Sequence, residues 1–465
     1  MKDKILITTA IDYANDVIHI GHAYQKVLAD CFARYYRILG KQVFFVTGTD
    51  EHGANIEKIA NSNGKDVKDY VDYVSSEDQK QIDSLGVKYD RFIRTTDLDH
   101  KETVNKIWKI IFDKGDVYKK SFTGLYCLSC ESFKTESETE NGFCNVHKTL
   151  KLTEQKEENY FFKWSNYQKF LEEFFEKNKN FVLPQNKYNE MFNFLKSGIE
   201  DISISRQNIK WGIKVPEDET QVIYVWFDAL INYYTAGIKT DFWDEDTTII
   251  HFLGKDNLRW HSLLWPAMLK SADLKIPDIV YSHDFINIDG QKISKTLGNI
   301  IRPSELVEEF DVNAIRYFLL KRGPLYDDVD ISKEKIKEVN NSDLANGLGN
   351  LVQRVTKICE KINYTNTTPY PENFSEKVRE HFDNFRLDLC LEYIQEKITE
   401  ENRFIETEKL WNKEGEELIN NLNRCIINIR QIAFDLQPFM PDISEKIKQR
   451  LGEKIFFEDP LFKKI

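Results

Sequence analysis

Short apolar runs and an amphipathic stretch alternate at the start of the chain. The runs read KILITTA at residues 4–10 and KQVFFVTGTDEHG at residues 41–53, and each leads into polar residues. Between them, residues 22–40 carry apolar side chains at helical spacing and end on Gly40, a favourable stop for a helix. Strand, helix and strand in this order form a βαβ unit, so the pattern predicts a parallel sheet.

Two later segments continue this pattern. They read TTIIHFLGKD at residues 247–256 and PDIVYSHDFIN at residues 277–287, and we predict two further strands of this kind. A helix is predicted over residues 257–269, and Pro266 limits how straight it can be. Ligands of such sheets bind beyond the carboxyl ends of the strands, so the polar residues after each strand are the candidate functional residues.

The rest of the chain follows other patterns. Residues from about 115 to 210 break the alternation with a cysteine cluster and a charged run, and we interpret them as an insertion between two halves of the sheet. From about residue 340, apolar residues recur at the helical period with little strand signal. This predicts a helical domain of at least three or four helices.

Composition narrows the class of protein. The 465 residues are enough for two to four structural units of about 100–200 residues each. Hydrophobic residues make up 41% and charged residues 30%, as in a folded globular protein. No apolar run approaches the roughly 20 residues of a membrane span, and the polar start argues against a secretory signal, so we expect a cytoplasmic protein that binds no membrane. A net charge of −12 argues against sequence-blind nucleic-acid binding, though not against a local basic groove.

The first candidate motif is His-Ile-Gly-His at residues 19–22, between the first predicted strand and helix. A helix start offers free N–H groups and the positive end of a dipole, which suit phosphate. Gly21 would let a flat ring system approach the backbone, and His19 and His22 could donate hydrogen bonds to phosphate oxygens. Taken alone, the motif fits two packed histidines equally well, and as metal ligands the pair lacks nearby partners.

The second candidate motif is DGQKISKTLGN at residues 289–299. Lys292 and Lys295 lie three residues apart there, with Ser294 between them. Taken alone, such a loop is more often a solvated charged loop. The sequence has no glycine-rich P-loop pattern, which argues against a standard kinase or GTPase.

Together the two motifs resemble the paired signature of class I aminoacyl-tRNA synthetases. That signature usually ends in Lys-Met-Ser-Lys-Ser, whereas Ile293 and Thr296 stand here in place of Met and Ser and keep the side-chain character. Five further blocks, in order over essentially the whole chain, are similar to methionyl-tRNA synthetases of the bacterial type. They are TGTDEHG (47–53), SISRQNIKWGIKVP (203–216), YVWFDALINYYTA (224–236), HFLGKD (251–256) and LANGLGNLVQR (344–354).

This resemblance implies an α/β fold. A Rossmann-like parallel-sheet catalytic domain would carry a zinc-knuckle connective insertion and be followed by an α-helical bundle that binds the anticodon. The implied segments are residues 1–115 for the first half of the catalytic domain, 116–209 for the insertion, 210–285 for the second half, 286–340 for the lysine-motif loop and stem-contact region, and 341–465 for the helical domain.

The resemblance also implies a reaction. The carboxylate of L-methionine would attack the α-phosphorus of ATP, pyrophosphate would leave, and the methionyl adenylate would charge tRNA(Met), the initiator included. Positioning and charge stabilisation dominate such catalysis. The two histidines would donate to the phosphates, the two lysines would neutralise the leaving pyrophosphate, and Mg²⁺ would accompany ATP. In the implied ATP-binding set, the carboxylate of Asp256 would hold ribose hydroxyls. The whole set is His19, Gly21, His22, Gly254, Asp256, Lys292, Ser294 and Lys295.

The implied methionine pocket is apolar and aromatic with one acid. Asp50 would hold the α-ammonium group, and the aromatic rings suit a thioether because sulfur–ring contacts contribute about 0.3–1.5 kcal/mol each. The family usually has Leu and Pro where this chain has Ile11 and Asp12; the isoleucine keeps the wall apolar, whereas the aspartate is an unexplained departure. Outside this context, core packing would be the preferred interpretation of the tryptophans. The implied set is Ile11, Tyr13, Asp50, Trp226, Ala229, Leu230, Tyr233, Trp260, His261 and Trp265.

Four residues have the spacing of a structural zinc site. Cys127 and Cys130 form one C-x2-C pair, and Cys144 and His147 form a C-x2-H pair, with thirteen residues between the two pairs. Such a Cys3His set predicts one tetrahedral Zn²⁺ with no position open for water, and buried reduced thiols are the alternative. The family's connective insertion often carries knuckles of this kind.

The predicted helical domain holds the implied anticodon-reading residues. Asn350 and Arg354 are four apart on one helix and so share a face, and Trp411 follows later. An amide and a guanidinium can read base edges, and an indole can stack on an unpaired base. Without the resemblance, the first two would be ordinary surface residues.

Two other functions stay open at this point. Another class I synthetase is one, although the insertion of roughly ninety residues is too small for the editing domain that Ile, Val and Leu enzymes need. A non-catalytic tRNA-binding regulator on the same scaffold is the other, although both signature motifs and the ammonium-binding acid are present. Because the chain ends soon after the helical domain, we expect a monomer.

Overall fold

The computed structural model describes the chain except for residues 129–131, 135–137, 147, 149, 208, 289 and 294–297. The chain forms two compact units. The first unit consists of Met1–Ile18, Gln42–Lys80 and Tyr89–Asp284. The second unit consists of His19–Lys41, Gln81–Lys88 and Phe285–Ile465.

A seven-stranded sheet lies in the first unit, and every strand pair in it is parallel, as the βαβ pattern predicted. The strand order is Val182–Leu183, Ile279–His283, Thr247–Gly254, Lys4–Thr9 and Gln42–Asp50, with Asp12–Tyr13 and Arg91–Arg94 both paired to the last of these. The first strand, Lys4–Thr9, has early strands on one side and late strands on the other. The order therefore reverses beside it, and ligand sites of open α/β sheets lie at such a reversal.

Antiparallel structure separates the two halves of this sheet along the chain. One four-stranded sheet contains Val117–Cys127, Ser132–Lys134, Thr153–Phe162 and Ile202–Ser203, and a small hairpin joins Thr139–Glu140 to Phe143–Cys144. A three-stranded sheet follows, made of Ser205–Arg206, Lys214–Val215 and Asp218–Ile223. The segment that interrupts the sequence pattern is thus largely antiparallel in its strands, but Val182–Leu183 within it returns to the parallel sheet and pairs with Ile279–His283.

Helices make up most of the rest. The α-helices are Ile20–Ile38, Ala54–Ser62, Val67–Ser84, Leu98–Asp113, Gln168–Lys177, Gln185–Lys196, Val225–Leu230, Asn232–Ile238, Trp265–Ser271, Pro303–Glu309, Val312–Arg322, Lys333–Val339, Asn350–Lys361, Glu376–Asp383, Leu387–Glu408, Gly415–Asp435 and Pro441–Arg450. A π-helix spans Asn340–Gly349. The helical carboxyl-terminal region is therefore confirmed. No helix among the described residues is long and apolar enough to cross a membrane.

Two sequence predictions need correction. The strand predicted over residues 277–287 is two strands: Ile279–His283 belongs to the parallel sheet, whereas Ile286–Ile288 pairs with Gln291–Lys292 and Val329–Ile331. The apolar pattern alone could not reveal this change of partner. The helix predicted over residues 257–269 contains a π-turn before Pro266, which is consistent with the missing backbone N–H of that proline.

Candidate active site

The histidines of the first motif cap a helix in the second unit. Nδ1 of His19 accepts a hydrogen bond from the backbone N–H of Gly21 at 3.1 Å, and Nδ1 of His22 accepts one from the backbone N–H of His19 at 3.3 Å. Because both Nδ1 atoms accept, each neutral ring carries its hydrogen on Nε2. The centres of the two rings lie 4.0 Å apart at the helix start.

Gly21 is required by this capping geometry. A Cβ atom at Gly21 would lie 2.9 Å from Cε1 and 3.0 Å from Nδ1 of His19, so any side chain there would push the capping ring away. The same Cβ position is 3.6 Å from Cδ1 of Ile293. The second motif thus begins beside the helix start.

Two more contacts fix the ends of the lysine loop. The backbone N–H of Ile20 donates to the carbonyl of Ile301 at 2.9 Å, which ties the loop's far end to the same helix. The ammonium group of Lys292 lies 4.4 Å from the ring centre of Phe285. Ser294 and Lys295 lie outside the described residues, so their predicted roles stay predictions.

The predicted methionine-binding rings come together in the first unit. Trp226 and Trp260 stack with ring centres 5.0 Å apart and planes at 19°. His261 meets the edge of Trp226 at 6.4 Å and lies 5.5 Å from Tyr233, and Trp265 is 6.4 Å from Tyr233. These five side chains form a continuous aromatic cluster. Residues separated by up to 39 positions, on four short helical elements, build it.

A hydrogen-bond chain orders part of this cluster. Nδ1 of His261 is 2.8 Å from the carbonyl oxygen of Asn257, so it carries a hydrogen and donates. Nε2 of the same ring therefore accepts, and the hydroxyl of Tyr233 donates to it at 2.7 Å. Burial lowers the pKa of His261 to about 4, against the opposing effect of the Asn257 carbonyl, so the ring is neutral at pH 7.

The predicted acid lies near the same hydroxyl. Asp50 ends its strand, is 8% exposed and pairs in register with Tyr13 on the adjacent strand. Burial raises the pKa of Tyr233, and the negative charges of Asp50 and Asp12 raise it further. The unexplained Asp12 is thus a second buried carboxylate near Tyr233.

The remaining predicted pocket residues also lie in the first unit. Ala229 and Leu230 are buried near the end of the helix that carries Trp226. Ile11 is partly buried against the apolar cluster around the parallel sheet. A hydrogen bond with its backbone lowers the pKa of Tyr233, against the effect of burial. All ten predicted residues belong to the first unit.

Gly254 ends the strand Thr247–Gly254, and Asp256 follows it by two positions, as predicted. A Cβ atom at Gly254 would lie 2.9 Å from Oδ1 of Asp256 and 3.7 Å from the ring of His283. A glycine therefore leaves the space in which the Asp256 carboxylate sits. This places the acid directly beyond the carboxyl end of a central strand, where such sheets bind ligands.

A buried carboxylate bridge was not foreseen from the sequence. Oδ2 of Asp228 accepts from Nδ1 of His52 at 2.6 Å, and Oδ1 accepts from Nε2 of His100 at 2.7 Å. All three side chains are almost completely buried. Burial alone would raise the pKa of Asp228, but the two imidazoles hold it at about 2. We call these residues the His–Asp–His bridge.

Two of the four predicted zinc ligands are described. Cys127 and Cys144 are both buried in one small cluster with Leu152. Cys130 and His147 lie outside the described residues, so the zinc prediction stays untested. Within the described part of the chain, no group of three or more His, Cys, Asp or Glu side chains is arranged to hold a metal ion.

Two of the three predicted anticodon residues, Arg354 and Trp411, are in contact in the second unit, and Asn350 lies one turn before Arg354 on the same helix. The guanidinium of Arg354 lies 5.5 Å from the ring centre of Trp411, which is 47% exposed. Arg354 also forms a 2.7 Å ion pair with Glu406. One turn earlier, the amide nitrogen of Asn350 is 3.2 Å from Oδ1 of Asn402.

Comparison with known proteins decides the family. A family model described as tRNA synthetases class I (M) matches residues 5–151 and 137–356. A methionine–tRNA ligase of Caldanaerobacter subterraneus is 39% identical over 97% of this chain and 74% of its own length. The chloroplastic/mitochondrial methionine–tRNA ligase of Arabidopsis thaliana is 38% identical over 97% of this chain and 77% of its own length. The chain belongs to the methionyl-tRNA synthetase family.

Solved structures agree with this assignment. Mycobacterium tuberculosis methionyl-tRNA synthetase in complex with methionyl-adenylate superposes with a TM-score of 0.91 at 34% identity, over 97% of this chain and 94% of that chain. The apo form of the same enzyme gives a TM-score of 0.85 at 30% identity, over 100% of this chain and 99% of that one. The family that the sequence motifs indicated, the methionyl-tRNA synthetases, is therefore confirmed.

Sequence reasoning missed the His–Asp–His bridge for a definite reason. His52 and Asp228 lie inside quoted family blocks, but 176 residues separate them, and 128 separate His100 from Asp228. His52 comes two positions after the strand Gln42–Asp50, so it is one of the polar residues after a strand that the sequence marks as candidates. His100 has no comparable signal, because it sits in an ordinary amphipathic helix.

Proposed function

We propose that this chain ligates L-methionine to tRNA(Met), the initiator included, with ATP as the energy source. The observation that carries the proposal is the aromatic cluster of Trp226, Trp260 and Tyr233. The buried Asp50 carboxylate is near enough that its negative charge raises the pKa of the Tyr233 hydroxyl. Polarizable rings suit a thioether, and a buried carboxylate suits an α-ammonium group. The thioether on an unbranched side chain distinguishes methionine from the other proteinogenic amino acids, whereas the α-ammonium group does not.

The first step needs little covalent help from the protein. The methionine carboxylate attacks the α-phosphorus, the bond to the bridging oxygen breaks, and pyrophosphate leaves with the electron pair. The Nε2–H groups of His19 and His22 donate to phosphate oxygens, and Lys292 and Lys295 offset charge on pyrophosphate. Mg²⁺ enters with ATP as part of that substrate. Gly254 and Asp256 hold the ribose.

The second step transfers methionine from the adenylate to the terminal ribose of tRNA, with release of AMP. We assign tRNA selection to Asn350, Arg354 and Trp411. The exposed Trp411 ring offers a stacking face, and Arg354 lies within reach of the same base. The ion pair with Glu406 holds the guanidinium in place until RNA replaces it.

A structural Zn²⁺ completes the proposal. Cys127 and Cys144 are soft ligands that share one buried cluster, which fits the metal-binding half of a knuckle. Cys130 and His147 would supply the other two ligands. The metal would stabilise the inserted antiparallel region and take no part in the reaction.

Aminoacylation with radiolabelled methionine tests this function. Purified protein with ATP and Mg²⁺ should attach the labelled methionine to unfractionated tRNA and give acid-precipitable label. Transcripts of tRNA(Met), initiator and elongator alike, should be labelled in the same way. A transcript with an altered anticodon serves as the control. Labelling that ignores the anticodon would contradict the assigned tRNA selection, and labelling with another amino acid instead would contradict the substrate.

A further inference from the structure

The His–Asp–His bridge joins the segments that carry the methionine-binding residues. His52 follows Asp50 by two positions, and Asp228 lies in the first turn of the helix that carries Trp226, Ala229 and Leu230. His100, from the helix Leu98–Asp113, completes the bridge.

The bridge also reaches the helix that carries Tyr233. Nδ1 of His100 lies 3.2 Å from Oγ1 of Thr235, two positions after Tyr233 in the helix Asn232–Ile238. One carboxylate and two imidazoles therefore connect the acid-bearing strand end with the two helices that carry Trp226 and Tyr233. Each connection is a charged or polar hydrogen bond away from water, where such bonds are strong and direction is tightly specified.

We propose that His52, Asp228 and His100 are positioning residues for methionine: they hold Asp50 at the distance from Trp226 and Tyr233 that the amino acid requires. This inference rests on the proposed function. None of the three residues belongs to the implied methionine-binding or ATP-binding set. Their contribution is to methionine recognition, and it leaves ATP recognition unchanged.

Burial makes this role specific. Both oxygens of Asp228 are used, one by each ring, and its side chain is completely buried. If one donor is lost, one buried carboxylate oxygen has no hydrogen-bond partner. A shift of the segment that carries Asp228 relieves this at the lowest cost in free energy. Since the pocket residues share those segments, such a shift opens the pocket.

Shape-matched pairs of variants separate positioning from folding. In His52→Asn the amide nitrogen takes about the place of Nδ1, whereas His52→Leu fills the space without a donor. For His100, which contacts Asp228 through Nε2, Gln and Leu form the corresponding pair with respect to that bond. Asp228→Asn removes the charge and keeps the shape. Glu401→Gln is the control, since Glu401 is another buried carboxylate, bonded to Asn428 and Arg424 in the second unit.

The readout is the KM for methionine and for ATP in ATP–pyrophosphate exchange, with methionine binding followed by tryptophan fluorescence. We expect both Leu variants and Asp228→Asn to raise the methionine KM about tenfold or more, with the ATP KM changed by less than about twofold. His52→Asn and His100→Gln should recover most of the loss, and Glu401→Gln should match the wild type.

Each result decides the matter. Provided that the wild type supports exchange, three results would overturn the positioning role. They are an equal rise in the KM for methionine and the KM for ATP, an unchanged methionine KM, and no recovery in the variants that keep a donor. If Asp228→Asn does not fold, the two histidine pairs decide alone. A wild-type protein that neither binds methionine nor supports exchange would instead overturn the proposed function, and the inference with it.

Discussion

The hydroxyl of Tyr233 donates a hydrogen bond of 2.7 Å to Nε2 of His261, and both groups are buried. Tyr233→Phe should raise the methionine KM by a factor that corresponds to about 1–3 kcal/mol, because the buried Nε2 atom loses its donor. The exchange assay at varied methionine measures this. Tyr234→Phe removes a hydroxyl from the next position, where the ring packs on Trp243, and should leave the KM unchanged. Equal effects of both substitutions would contradict the role of the Tyr233 bond.

The neutral state of His261 predicts a dependence of stability on pH. The folded-state pKa is lowered by burial to about 4, whereas an unfolded histidine titrates near about 6.5. The unfolded chain therefore binds more protons below about pH 6.5, so this stabilisation is complete above that pH and is lost as pH falls towards 4. Between pH 7 and pH 5 the loss should be about 2 kcal/mol. Urea unfolding of the wild type and of His261→Gln at both pH values measures it, and equal pH slopes for the two proteins would refute it.

Lys295→Ala should lower methionine activation about 100-fold or more, because a charge that stabilises the leaving pyrophosphate is lost. Binding of tRNA, measured by filter retention, should stay close to the wild-type value. Lys333→Ala, which removes an exposed lysine paired with Glu309, is the matched control. Unaltered exchange kinetics in Lys295→Ala would remove this lysine from the mechanism.

Trp411→Ala should weaken aminoacylation of tRNA by about 1–3 kcal/mol in kcat/KM, the usual contribution of one stacked base. Pyrophosphate exchange should be spared, since it needs no tRNA. Ile419→Ala removes another exposed apolar side chain of the second unit and serves as the control. An equal loss in both assays would count against the anticodon role of Trp411.

Cys127→Ser and Cys144→Ser should each reduce the zinc content from about one ion per chain to a small fraction, because a tetrahedral structural site rarely survives loss of a thiolate. Cys359→Ser alters a buried cysteine in the helical region and should retain the metal. Plasma mass spectrometry on dialysed protein measures the content. Full zinc in both variants would favour buried reduced thiols.

The sequence predicted those features that depend on neighbouring residues. The strands Lys4–Thr9 and Thr247–Gly254 follow from continuous apolar runs, and the parallel sheet follows from the alternation of such runs with a helix. The short strands Asp12–Tyr13 and Arg91–Arg94 were missed because two to four residues carry no detectable period.

The predicted site depended on the family motifs more than on local pattern. The capping role of His19 could be expected from a helix start, but the acceptor role of its Nδ1 depends on side-chain geometry that no spacing encodes. The bridge between His52, Asp228 and His100 depends on tertiary contacts across more than a hundred residues. Long-range polar contacts of this kind are fixed by the fold, so a single sequence gives them no local signal.

ATP–pyrophosphate exchange with one amino acid at a time tests the central claim most directly. The aromatic pocket with Asp50 predicts exchange driven by methionine and close to background with isoleucine, valine, leucine or cysteine. Exchange driven by isoleucine or cysteine but not by methionine would contradict the assigned substrate. Absence of exchange with every amino acid, from folded protein that still binds tRNA, would point to a non-catalytic tRNA-binding regulator.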